Sequence, residues 1–234
     1  MKKIFFLKYL NFPQFMVLFI YIKIILELEM KKKSPIYNYY NINPDSSAYM
    51  VEISLDNYAE LFNGWDASPL KRRDLEPELL HYIEQCGTEI PLKYDVELYL
   101  YLSEKYKDEE KEARSKLGII NNFNIVLFFI KKSLEKIYRQ IFANILLSIV
   151  FLVAANLLKS NFQIETLFPS IAVEGLYIGG WVLLWEAFSL FFFDSYEIRQ
   201  RKKIFIRFKE MKIYFTYLDE KNEPINVFKN NQNE

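Results

Sequence analysis

Cysteine and histidine occur once each, as Cys86 and His81. A single cysteine excludes an internal disulfide. One of each also excludes a zinc site built from histidine and cysteine. The six glycines form neither G-x-G-x-x-G nor G-x-x-x-x-G-K, so neither common glycine-rich phosphate loop is present. An excess of one charge is lacking too, since 30 basic and 30 acidic residues cancel. General nucleic-acid binding needs a basic excess to neutralise phosphates, so no nucleic-acid partner is expected. His81 and Cys86 fall at i and i+5 on one expected helix and do not face each other. No catalytic residue, metal or cofactor is therefore expected. Aromatics reach 18%, but the chain is equally rich in Lys, Asn and Ile, the residues of AT-rich codons, so the excess carries little functional weight.

Long apolar runs are what the chain does have. Ile141–Leu158 and Pro169–Phe193 are separated by the ten residues Lys159–Phe168. Lys131, Lys132, Lys136 and Arg139 precede the first run; Arg199, Arg201, Lys202, Lys203, Arg207 and Lys209 follow the second. The connection holds one Lys and one Glu. Basic residues stay on the cytoplasmic side, so the pattern predicts a transmembrane hairpin over 141–193 with both ends in the cytoplasm. Anionic headgroups are the expected lipid partner. Residues 1–29 include an apolar stretch, Phe12–Leu26, broken by Lys23. They read either as translated upstream sequence before a start at Met30 or as an interfacial or spanning helix.

Residues 30–48 read as a polar linker, and 49–140 as a cytoplasmic domain ending in a long helix. Strands are predicted where apolar residues alternate: Tyr49, Val51, Ile53, Leu55; Val96, Leu98, Leu100, Leu102; and Ile213, Phe215, Tyr217. Asp56 is expected to cap a helix over 57–63, and Asp74 a second over about 75–86 that Gly87 ends. The apolar face of the second helix would hold Leu75, Leu79, Tyr82, Ile83 and Cys86. The short run Ile125–Ile130 reads as a face packed on the sheet or lying in the interface, being too short to span. Residues 194–218 read as a basic interfacial helix followed by the returning strand, and 219–234 as a disordered tail. The expected fold is an α+β membrane protein: about three strands with helices, and a long helix leading into the hairpin.

Several short motifs follow one another in a set order. Leu61-Phe62-Asn63, Asp66-x-Ser68-Pro69 and Arg73-Asp74-Leu75 come first. Glu174-Gly175, Gly180-Trp181-Val182, Leu184-Trp185, and Asp194 before a basic run follow. Over roughly residues 49–217 this order resembles a group of small two-span bacterial membrane proteins without known activity. The resemblance implies the architecture and no mechanism. Ser195-Tyr196-Glu197 departs from a more aromatic stretch in the group, and Ile125–Ile130 is more apolar than its equivalent.

Glu186 lies inside the second run, where an ionised carboxylate is costly and needs a partner, a cavity or water. Glu174 lies nearer the outer end. Asn144 and Ser148 share a helix face and are expected to hydrogen-bond across the hairpin. Gly175, Gly179 and Gly180 allow close helix approach, within the hairpin or between copies. Lys71, Arg72 and Arg73 form a basic loop that suits headgroups or a protein, alongside Arg201, Lys202 and Lys203. Trp65 and Asp66 belong to a turn that reads as a recognition loop or as a local cap in which Trp65 covers the core. Together these features predict a membrane-anchored, non-catalytic interaction or regulatory module with an unknown protein partner. The alternative is a homo-oligomeric pore or transport accessory subunit using Glu186, and a membrane enzyme with scattered acids is a third class.

Overall fold

The computed structural model describes residues 39–161 and 167–218. The chain divides into Met1–Tyr39 and Tyr40–Glu234, and of the first unit only Tyr39 is described. The readings of 1–29 and 219–234 lie outside the described residues.

The three alternating segments become β1 (Tyr49–Ser54), β2 (Val96–Ser103) and β3 (Ile213–Leu218). They form one parallel sheet in the order β1-β2-β3, with Val51 opposite Leu98 and Leu98 opposite Ile213. Parallel strands need long crossovers. The first is made by α1 (Pro77–Glu89). The second runs through α2 (Glu109–Asn161), α3 (Leu167–Ser189), a π turn (Leu190–Asp194) and α4 (Ser195–Glu210). The strand after the hairpin does return to the sheet. The connectivity is nevertheless α/β rather than the expected α+β, because every strand pair is parallel and bridged by helix.

Side chains alternate across the sheet. Val51, Leu98, Leu100 and Leu102 are buried on one face, with Ile119 and Phe123 of α2 and Phe205 and Phe208 of α4 completing the core. Phe123 meets both rings of α4, at centroid distances of 6.1 Å and 5.6 Å. The Lys116 ammonium of α2 lies over the Phe215 ring, and the Tyr217 hydroxyl donates to Glu112 at 3.0 Å. The apolar face of β3 therefore packs on the first turns of α2.

The 53 residues of α2 make a rod about 80 Å long. It contributes to the domain first and pairs with α3 later. Both α2 and the continuous α3–α4 stretch are long and apolar enough to cross a membrane by length and composition. Their shared seam repeats every seven residues: Leu134, half-buried Ile141, Ser148 and Ala155 on α2, and Val173, Gly180 and Ala187 on α3. A seven-residue repeat keeps two slightly supercoiled helices in register. The next seam position would be Asp194, which is exposed; Ser195 is buried instead. The wider π turn absorbs one residue and keeps the carboxylate out of the seam. Ser195 Oγ then donates to the Phe191 carbonyl at 2.5 Å, four residues back.

Several local expectations are corrected. The segment after Asp56 is a 3-10 turn (Tyr58–Leu61) capped by Asn57, whose side chain accepts from Ala59 N–H. Asp74 does not cap α1: its N–H donates to Asp66, and Leu75 bridges Phe62. The helix instead starts at Pro77, a residue that suits the first turn because its missing N–H has no partner there anyway. Gly87 does not end the helix but lies inside it. A Cβ there would stand 2.2 Å from the Phe208 ring, so the glycine permits close packing of α1 on α4. Tyr82, expected on the inner face, is exposed. Residues 40–48 are no linker: Ile42 bridges Tyr49, and Asn43 and Ala48 are buried. The apolar residues of the expected interfacial helix, Ile204, Phe205 and Phe208, are buried in the domain. In the run Ile125–Ile130, Ile130 is buried, while Ile125, Phe128 and Phe129 point outward.

Arg207 closes the end of α1. Its Nη2 donates to the Gly87 carbonyl at 2.7 Å, and Nη1 faces the carbonyls of Ile90, Pro91 and Tyr94 at 3.1–3.3 Å. A helix C-terminus leaves carbonyls unpaired and carries partial negative charge, which a guanidinium offsets. Burial pulls the Arg207 pKa below the usual arginine value, and the carboxylate of Asp95 opposes that shift. Arg207→Met should cost about 3 kcal/mol, since it strips charge-assisted bonds from several carbonyls at once. Arg207→Lys should recover only part of this, because an ammonium cannot reproduce the planar fork. Denaturant unfolding of the detergent-solubilised chain measures both; equal stability of wild type and Arg207→Met would refute the capping role.

Candidate functional site

The segment between β1 and α1 is fixed by its own polar side chains before it meets α2. Asn63 Oδ1 accepts from Trp65 N–H at 2.9 Å. Asp66 accepts from Ser68 N–H and from Asp74 N–H, each at 2.9 Å, closing an Asx turn and a wider loop with one carboxylate. The Asp74 N–H, then that of Ser68, hold the Asp66 carboxyl below its usual pKa. Arg73 Nε donates to the Ser68 carbonyl at 3.0 Å.

The loop is docked on α2 by two polar residues and a glycine. Asn122 is buried; its Oδ1 accepts from Leu75 N–H at 2.9 Å, and its Nδ2 donates to the Arg73 carbonyl at 2.8 Å. Asn121 Nδ2 reaches the Lys71 carbonyl at 2.7 Å. A Cβ on Gly118 would lie 2.6 Å from the Leu70 carbonyl oxygen, so only glycine admits the loop at this distance. On this fixed backbone Trp65 is 97% exposed, which corrects the expectation that it covers the core. Lys71 and Arg72 are exposed beside it in sequence, and Arg73 is half-buried.

The other candidate residues lie on the helices. Ser148 Oγ donates to the Gly180 carbonyl at 2.7 Å across the hairpin, while Asn144 makes no hydrogen bond among the described residues. Gly180 sits against Leu152 and Gly179 against Phe151 of α2; Gly175 has nothing within 4 Å of its would-be Cβ. Close approach thus runs through Gly179 and Gly180. Glu174 and Glu186 are exposed on α3, and neither makes a hydrogen bond or ion pair among the described residues. Arg201 pairs with Glu84 of α1 through Nε and Nη2, which donate to its two carboxylate oxygens at 2.5 Å and 3.0 Å. Lys202 is half-buried and Lys203 exposed. His81 is exposed and Cys86 buried. Burial pushes the Cys86 thiol pKa up, against hydrogen bonds with Tyr40 and Tyr82, which leaves it a packing residue.

No family model, curated protein or solved structure matches the chain. The functional reading rests on its own residues.

Sequence reasoning did not single out Asn122, Gly118 or Arg207. Asn122 had a visible signal, since it falls on the helical stripe of Ser115, Ile119 and Phe123, all buried. An amide on such a stripe has to find backbone partners. Asn122→Ala would leave Leu75 N–H and the Arg73 carbonyl unpaired at a buried site, at about 1–3 kcal/mol. Amide hydrogen exchange should then accelerate across residues 63–75 more than in the sheet. Uniform acceleration throughout the domain would count against a clamp specific to this loop.

Proposed function

We propose that the chain is a membrane-anchored, non-catalytic interaction module. Its helical hairpin is held in a bacterial inner membrane, and its domain offers a rigid loop to a protein partner in the cytoplasm. The observation that carries the reading is Trp65, 97% exposed on a loop locked by Asp66, Asn121 and Asn122. An exposed apolar ring costs less to order on binding when its backbone is already fixed, and tryptophan and arginine are enriched in binding hot spots. Lys71 and Arg72 make an acidic partner surface the complementary one.

The placement of the loop favours protein over lipid. The Lys71 carbonyl is bound to Asn121, twenty residues before Ile141. That is about 30 Å along α2, several times the Debye length of about 8 Å at physiological salt. A bilayer reached by Ile141–Leu158 would have its headgroups near Lys136 and Arg139. The basic flanks, the short neutral connection and the resemblance to two-span bacterial proteins support the membrane assignment and its cytoplasmic ends.

Topology is testable with single cysteines in a Cys86→Ser background. Ser160→Cys, exposed near the connection, should react with an impermeant maleimide on intact cells. Glu197→Cys, exposed on α4, should react only after permeabilisation. The opposite pattern overturns the orientation, and protection at neither site removes the membrane assignment. For the loop, Trp65→Ala should weaken capture of a crosslinked partner by about thirtyfold or more, as a hot-spot loss above 2 kcal/mol implies. Lys71→Glu with Arg72→Glu should slow association and blunt its salt dependence. Undiminished capture by both variants would exclude this surface.

A further inference from the structure

A cleft of about 700 Å³ opens at the N-terminal ends of β2 and β3, against the last turns of α4. Its lining includes Asp95 and Glu97 of the β2 entry, Lys203, Ile206 and Glu210 of α4, and Lys212 before β3. Glu97 is only 3% exposed. Its Oε2 accepts from Asn43 Nδ2 at 2.8 Å and from the Tyr99 hydroxyl at 3.1 Å, while Oε1 makes no hydrogen bond among the described residues. Both donors are neutral, so they orient the carboxylate without neutralising it. Burying such a charge is costly unless an opposite charge compensates it.

The obvious compensators do not reach it. Lys212 directly precedes the β3 residue opposite Leu98, and its carbonyl accepts from Leu98 N–H at 2.9 Å. Yet neither Lys212 nor Lys203 forms an ion pair among the described residues. The cleft thus holds a fixed buried carboxylate and two uncommitted ammonium groups. Its volume falls within the range of small-molecule sites, roughly 300–1,000 Å³.

We propose that this cleft binds a small zwitterion carrying a primary ammonium and a phosphate, the ammonium on Glu97 and the phosphate between Lys203 and Lys212. Two lysines lining one cleft, unpaired among the described residues, suit a phosphate oxygen cluster, which takes point charges from several sides. The same chemistry occurs in a free aminoalkyl phosphate and in an aminophospholipid headgroup. Geometry admits the second source. The contacts of Tyr217 with Glu112 and of Phe215 with Lys116 turn the C-terminal strand ends toward the start of α2. The N-terminal ends, and the cleft, lie toward the hairpin side, with Lys203 about 12 Å along α4 from Ser195. Only the lipid source rests on the membrane assignment; the free ligand does not.

The test is calorimetry on the full chain in a maltoside detergent without phospholipid, titrated with O-phosphoethanolamine, inorganic phosphate and ethanolamine separately. A parallel arm measures binding in phosphatidylcholine nanodiscs with and without phosphatidylethanolamine. O-phosphoethanolamine should bind saturably, at least about tenfold tighter than either fragment. The double variant K203Q/K212Q, exposed at both positions, should weaken binding about tenfold without loss of fold, and Glu97→Gln should do the same. Binding confined to the phosphatidylethanolamine nanodiscs supports the site and names the lipid as its source. No saturable binding in either arm, unchanged affinity in K203Q/K212Q, or phosphate alone binding as tightly each overturns it.

Discussion

One guanidinium holds the domain to its helical shaft. Arg207 projects from α4 and collects the Gly87, Ile90 and Tyr94 carbonyls, which α1 and the turn after it leave unpaired. These groups would otherwise be desolvated without partners, because the Phe208 ring packs directly on Gly87. Arg207 therefore links three choices in the sequence. A glycine inside α1 lets α4 approach, the approach buries the helix end, and the buried end needs a cation. Arg201, two turns earlier on α4, adds the ion pair to Glu84 on the same helix. The entry of β2 follows directly from the turn so fixed, and the parallel register of the sheet depends on that entry.

The helical pair imposes a second constraint, one of phase. A seam repeating every seven residues suits Ser148, Ala155, Gly180 and Ala187, whose small side chains let the backbones come close enough for Ser148 to bond the Gly180 carbonyl. The domain core needs a different face of the same continuous helix, the one bearing Ile204, Phe205 and Phe208. An uninterrupted α-helix would carry Asp194 into the seam. The π turn at Leu190–Asp194 resolves the conflict by adding one residue at the junction of the two packing regimes. Its loosened Phe191 carbonyl is taken up by Ser195. Arg199 lies over the Phe191 ring and reaches Tyr138 across the pair at 3.4 Å.

The legible part of the fold was the periodic part. Alternation at Tyr49–Leu55, Val96–Leu102 and Ile213–Tyr217 marked the strands, because a half-buried strand repeats every two residues whatever its neighbours are. The apolar runs marked the two long helices for the same kind of reason. What periodicity cannot show is a single polar residue whose value lies in its partners. Arg207 stands in a run with Arg199, Arg201, Lys202, Lys203 and Lys209, and composition does not distinguish the half-buried capping guanidinium from the other basic groups. Asn43 lies in a polar stretch that reads as linker, although its amide crosses to Glu97 and Tyr99. Gly87 read as a stop because glycine commonly ends helices; its role here is steric and depends on a ring 121 residues away in sequence. The turn of Trp65 reads either as a recognition loop or as a cap over the core; the loop's own hydrogen bonds satisfy the turn without burying the ring.

These constraints place two basic surfaces on one stiff element. The loop of Trp65 and Lys71–Arg73 is clamped near Asn121 and Asn122 of α2, while Lys131, Lys132, Lys136 and Arg139 ring the same helix about two and a half to five helical turns farther along. Coulomb coupling between the loop and the far end of that ring is screened over such distances. Any influence of one on the other must pass through packing. A continuous helix is well suited to this, since tilting or rotating the shaft moves Asn122 and Gly118 as a unit and carries the loop with them. The π turn is where the packing face of the return helix changes phase. Beyond that turn α4 carries the Arg199–Tyr138 contact and then the Arg207 cap, which holds the turn that leads into β2.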